Sequence, residues 1–119
     1  MKYLLKNKGT IVTKKDYSKR IIFTPEDLRS KGNLLQVVSI KPGVEQRLHF
    51  HHQQTEVFFI LEGRAYIVIE NKKILAKPGD AFICEPKEKH KVINSFDKEF
   101  KLVVFKINLP QSDDTFWAK

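Results

Sequence analysis

A chain of 119 residues, 41% hydrophobic and 30% charged, reads as one soluble globule that buries roughly two-thirds of its unfolded surface without staples. The net charge of +8 raises the question of nucleic acid, but Lys14-Lys15, Lys72-Lys73 and Lys87/Lys89/Lys91 are dispersed, interleaved with acids and free of arginine runs, which argues against it. No apolar run approaches the roughly 20 residues of a membrane span, Met1–Lys6 is too short and charged for a secretory signal, and Cys84 is alone, so a cytoplasmic protein outside the membrane is expected.

Residues 1–33 read as an extended lead-in with short strands at Gly9–Thr13 and Arg20–Phe23. Thr24-Pro25-Glu26-Asp27 has the parts of a helix start: a capping hydroxyl, proline in the first turn and acids after it. Ser30-Lys31-Gly32 ends it, so only a turn or two of helix is expected. From Leu34 the texture changes to short β-rich runs bounded by turn residues. These are Leu34–Lys41, Arg47–His52, Glu56–Leu61, Ala65–Glu70, Ile74–Lys77, Ala81–Cys84, Lys89–Asn94 and Phe100–Asn108. Pro42-Gly43 and Pro78-Gly79 are type II turn signals, because proline fixes the first angle and glycine supplies the positive one. Strands at this spacing without intervening helices predict an all-β antiparallel sandwich or barrel over residues 34–109. The tail, residues 110–119, carries Phe116 and Trp117, expected either to pack back on the barrel or to form an interface. Cys84 is expected to be a buried small hydrophobe.

All four histidines fall at 49, 51, 52 and 90. On a strand His49 and His51 share one face, roughly 6.6 Å apart along it, while His52 points the other way. Glu56 opens the next strand after the short polar turn Gln53-Gln54-Thr55, so an antiparallel return is expected to bring it beside the pair. His90 sits on a later strand. Imidazoles with a carboxylate make an N/O site suited to Fe, Mn, Ni, Zn, Co or Cu. A cluster of neighbouring histidines on a solvated surface would look the same at this level.

Two motifs separate those alternatives. The first is a glycine, His-x-His, a glutamate and a second glycine at fixed intervals: Gly43, His49, His51, Glu56 and Gly63. The second is Pro78-Gly79-Asp80, a short strand, Pro86, His90 and Asn94. In this order and spacing they resemble the two motifs of the cupin superfamily, over about residues 34–107. Pro86 stands one place later than usual and Glu88 replaces a common glycine, so the loop before His90 is expected to bend in its own way. The resemblance implies a double-stranded β-helix, or jelly-roll, barrel and one divalent metal ion on His49, His51, Glu56 and His90. It gives Gly43, Gly63 and Gly79 turn roles and makes Asn94 a supporting residue of the motif.

Such folds host many reactions, so function is not chosen by fold. One reading is a metal-dependent enzyme, of dioxygenase or isomerase/epimerase type, acting on a small organic or sugar-like substrate. The other is a non-catalytic small-molecule or metal-binding sensor module. Phe58 and Ile60 share the strand parity of Glu56 and are expected to line an apolar pocket, with Arg47 expected either to pair with a carboxylate, phosphate or sugar oxygen or to form a salt bridge at the rim. A homodimer is expected, since members of this superfamily commonly pair.

Overall fold

The computed structural model describes residues 1–119. Eleven strands form two antiparallel sheets that face each other. The first sheet has the order β1-β2-β3-β10-β5-β8. Its strands are β1 (Thr10–Thr13), β2 (Ser18–Phe23), β3 (Leu34–Ile40), β5 (Thr55–Glu62), β8 (Ala81–Cys84) and β10 (Phe100–Ile107). The second sheet has the order β11-β4-β9-β6-β7, from β4 (His49–His51), β6 (Ala65–Ile69), β7 (Lys72–Ala76), β9 (His90–Ile93) and β11 (Thr115–Trp117). In the barrel, β10 lies between β3 and β5 and β9 between β4 and β6, the mark of a jelly roll in which the chain passes back and forth between sheets.

Strand alternation fills the space between the sheets. Phe58 and Ile60 on β5, Phe100, Leu102 and Val104 on β10, Val38 and Ile40 on β3 face inward and meet Ile67 and Val92 from the other sheet. The period of two that places these residues inside also places Glu56, Gln36 and Lys106 on the same inward face, at the open end of the row.

The single helix, α1 (Pro25–Leu28), carries the expected cap. Thr24 Oγ1 accepts from Asp27 N and Asp27 Oδ2 accepts from Thr24 N, a reciprocal box that satisfies two free amides. Gly63 takes a positive φ of 71°, and a Cβ there would collide with the Glu99 carbonyl. Between β6 and β7 the turn falls at Glu70-Asn71, so the run expected to reach Glu70 ends at Ile69 and the next strand starts already at Lys72. Glu70 adopts a φ of 53° there, and its carboxylate accepts from Lys89 N at 3.3 Å, which offsets the strain.

Two segments outside the motif region join the sheets. The lead-in supplies β1 and β2 to the first sheet. The tail supplies β11, which pairs with β4 through Thr115↔His51, Phe116↔Phe50 and Trp117↔His49.

Candidate metal centre

His49 and His51 lie on one face of β4, and His90 stands directly opposite His49 on the adjacent β9. The ring centroids are 4.3 Å apart for His49 and His90 and 5.1 Å for His51 and His90. The histidine ligand atoms all lie within 4.8 Å of one another. That is near the roughly 4 Å spanned by two nitrogens each about 2.0–2.1 Å from one ion.

Glu56 reaches the cluster by a route other than the expected hairpin. β4 and β5 belong to different sheets, so Glu56 approaches the histidines from across the barrel rather than from a paired strand. The segment His52-Gln53-Gln54 makes the crossing between the two sheets. Glu56 Oε1 lies 2.9 Å from His51 Nε2 and 3.1 Å from His90 Nε2.

The other nitrogen of each ring is tied to the backbone. His49 Nδ1 donates to the Arg47 carbonyl at 2.8 Å, His51 Nδ1 to the Asp114 carbonyl at 3.1 Å and His90 Nδ1 to the Glu88 carbonyl at 2.9 Å. A carbonyl carries no proton, so each Nδ1 must hold the hydrogen. In the neutral rings Nε2 is then a bare lone pair. Two such lone pairs facing a carboxylate repel each other unless a cation, a proton or a metal ion, sits among them. The donor set therefore fits a divalent ion.

Electrostatics without a metal point the same way. Burial alone would raise Glu56, but hydrogen bonds from His51 and His90 hold it well below the usual carboxylate range. Burial would lower His90, yet its contacts with Cys84 and Glu56 push it up to about 10. Burial lowers His49 to about 4, helped by repulsion from His90.

Around this centre lies a cavity of about 660 Å³. Phe58 lines it, its ring 6.3 Å from that of His90. Arg47 stands at the mouth with its guanidinium 4.7 Å from the Trp117 ring centre. Ile60 does not reach the cavity: two residues deeper on β5, it is sealed in the hydrophobic core. His52 points away from the site and is exposed, its ring 4.3 Å from that of Phe116.

Sequence reasoning missed two residues. Cys84 is buried as expected, but it stands in register with Glu56, and its Sγ is 3.1 Å from His90 Nδ1. Asp114 presents its carbonyl to His51 and its carboxylate to the amides of Gln53 and Gln54 at 2.8 and 3.1 Å. An acid at the fifth position of a polar tail carries no signal of such a role. The loop before His90 turns at Lys87 and is held by hydrogen bonds from both sides. Lys87 takes a φ of 71°, Glu88 Oε1 accepts from Glu85 N at 2.8 Å, and Lys87 N donates to the His51 carbonyl at 2.6 Å.

Similarities to other proteins agree with this architecture. An uncharacterized protein of Methanocaldococcus jannaschii is 28% identical over 92 residues, covering 77% of this chain and 74% of that one. An oxalate-binding protein of Thermotoga maritima is 27% identical over 85 residues, 70% of each chain. Among solved structures, a predicted oxalate decarboxylase of Thermotoga maritima superimposes with a TM-score of 0.79 at 20% identity, covering 92% of this chain and 100% of that one. A sugar phosphate isomerase of Silicibacter pomeroyi gives a TM-score of 0.67 at 19% identity, over 80% and 61% of the two chains. The cupin domain family matches residues 36–106, well over half of the chain and the stretch that holds all four candidate ligands. The chain belongs to the cupin family.

Proposed function

We propose that the protein is a metal-dependent enzyme acting on a small organic molecule, with one divalent transition-metal ion held by His49, His51, His90 and Glu56. The observation that carries this reading is the tethering of all three Nδ1 atoms to backbone carbonyls, which turns the Nε2 side of the cluster toward one carboxylate. Metal-binding histidines need that kind of orientation from the groups behind them. When bound, the ion would polarise a substrate oxygen or activate water or dioxygen, the chemistry of isomerase-type and dioxygenase-type sites.

The chain's own residues define the rest of the site. Phe58, Leu102 and Val104 give the cavity an apolar wall that excludes water from the reacting end. Glu56 is the one carboxylate in contact with the histidines, placed to anchor the ion and to take a proton if it swings free. Arg47 and Trp117 form the entrance.

A non-catalytic binding or sensor module is the second reading. It draws support from the Thermotoga maritima relative named as a binding protein. Elemental analysis of protein purified without an affinity tag, followed by oxygen-uptake and isomerisation screens, tests both. About one equivalent of metal is expected in the wild type, and much less in His49→Ala, His51→Ala, His90→Ala and Glu56→Ala. Full metal retention in the histidine variants would sink the ligand assignment. Metal at full occupancy without turnover in either screen would favour the binding module.

A further inference from the structure

Five of the chain's 22 lysines and arginines, scattered in sequence, meet at the cavity. Lys14, Lys15 and Lys19 come from the β1–β2 hairpin, Lys106 from β10 and Arg47 from the segment before β4, and all five line it. Lys19 and Lys106 form the inner pair. Lys106 extends the inward row of Leu102 and Val104 and stands in register with Glu56. Lys19 is in register with Val38, which faces the core, so it too points inward. Both are partly buried, and neither lies within ion-pair distance of a carboxylate.

The acids at the same cavity are largely engaged elsewhere. Glu45 is held by Lys91 at 2.7 Å, Asp113 accepts from Thr115 N at 3.0 Å, and Glu56 faces the histidines. Asp16 is the remaining one. At Lys19, burial and repulsion from Lys106 and Lys14 outweigh the pull of Asp113 and Glu56 and lower the ammonium's pKa.

An independent observation comes from β3, the strand between β2 and β10. Gln36 faces inward there, only 4% exposed, and borders the cavity with no protein hydrogen bond to its amide. Its amide is open to the cavity rather than sealed in the core, which puts it within reach of a ligand's polar atom.

We propose that Lys19, Lys106 and Gln36 form a recognition wall for a carboxylate or phosphate group of a small organic substrate, whose other end faces the histidine cluster. The placement of that other end rests on the metal-dependent reading; the oxyanion wall stands on its own residues. Carboxylate and phosphate share the chemistry that two ammonium groups and an amide recognise, and the probes separate them.

The test is calorimetric titration of the purified protein, its metal content measured, with succinate and with glycerol 3-phosphate. Succinamide and glycerol serve as the neutral counterparts. At least one anion should bind while its neutral counterpart does not, more weakly as salt rises. Lys19→Met and Lys106→Met keep the aliphatic stems and should each weaken binding by about tenfold, the double variant more, while Lys19→Arg retains it. Circular dichroism checks folding in each. Undiminished binding in the double variant, or no anion binding beyond the neutral analogues in the wild type, overturns the proposal. A wild type that is free of metal yet binds the anion through these lysines would keep the wall and overturn the metal reading. Bound metal with lysine variants that behave as wild type would do the reverse.

Discussion

Glu56 and His90 face each other with opposite preferences for a proton, and this makes the metal-free centre sensitive to pH in a defined direction. His90 is raised from an unfolded value near 6.5 to about 10, so its contribution to stability is complete below 6.5 and fades as pH rises toward 10. Glu56 is lowered, so its contribution is present above the unfolded carboxylate value of about 4.5 and is lost as pH falls below it. His49 is lowered to about 4 and prefers to stay neutral, which erodes stability as pH drops from 6.5 toward 4. Thermal denaturation of chelated protein should therefore be most resistant near pH 6.5, and a monotonic rise up to pH 10 would refute the His90 assignment. A metal ligand must be deprotonated, so adding metal at pH 7.5 should release about one proton, the one His90 holds. Calorimetry in buffers of different ionisation enthalpy measures it. His52→Ala should leave metal content unchanged, because that ring sits outside against Phe116. The four candidate ligands were legible because strand parity and motif spacing are local patterns. Cys84 was not, because it meets His90 where the chain crosses from β8 in one sheet to β9 in the other, and spacing alone does not show that crossing.

The tail strand β11 does more than close an edge of the second sheet. Asp114, just ahead of it, holds His51 through its carbonyl and the Gln53-Gln54 crossing through its carboxylate. Trp117 stands opposite His49, and its ring centroid lies 6.0 Å from that of His49. The residues behind metal ligands commonly matter by 10- to 100-fold in affinity. Asp114→Ala should free the crossing and lower metal affinity by about tenfold or more, with little loss of β-type circular dichroism, measured by competition with a chelator dye. Unchanged affinity would mean the Asp114 carboxylate's hold on Gln53-Gln54 is not needed to position the ligands. Most strands were legible as alternating runs bounded by Pro-Gly, Gln-Gln and Glu-Gly turns, but Thr115–Trp117 was not. Three residues among polar neighbours show no period, and it is pairing with Phe50 and its neighbours that makes them a strand. The same limit hid the sheet change between β4 and β5. Spacing places Glu56 near the histidines, yet cannot say whether it comes alongside them or from across the barrel.

At the scale of the whole molecule, the inner apolar rows make a continuous core of twelve buried residues that involves no ligand side chain. Chelation should then leave the barrel folded, lowering Tm only by the mass-action contribution of the lost ion, and unfolding on chelation would mark the site as structural. The outer face of the first sheet poses a different question. Phe59 and Leu61 on β5, Ile83 on β8 and Val103, Phe105 and Ile107 on β10 all point away from the core. Phe59 is 45% and Ile83 61% exposed, and Val103 lies in register with Phe59. Isolated exposed hydrophobes are ordinary, but adjacent rows on three paired strands form a patch of the kind that soluble proteins cover. The tail aromatics are less suited to an interface, because Phe116 stacks on Phe50 and Trp117 holds Arg47. A second copy meeting the first across this sheet face would bury the patch around a two-fold axis and leave both cavities open. A homodimer is thus expected through β5, β8 and β10. Sedimentation or light scattering should give twice the 13.9 kDa chain mass, and Phe59→Lys with Ile83→Lys should shift it to monomer while metal content stays unchanged. A monomer mass for the wild type across a wide concentration range would refute the dimer. A dimer that survives both lysines would move the contact elsewhere, with the β11 edge of the second sheet next in line.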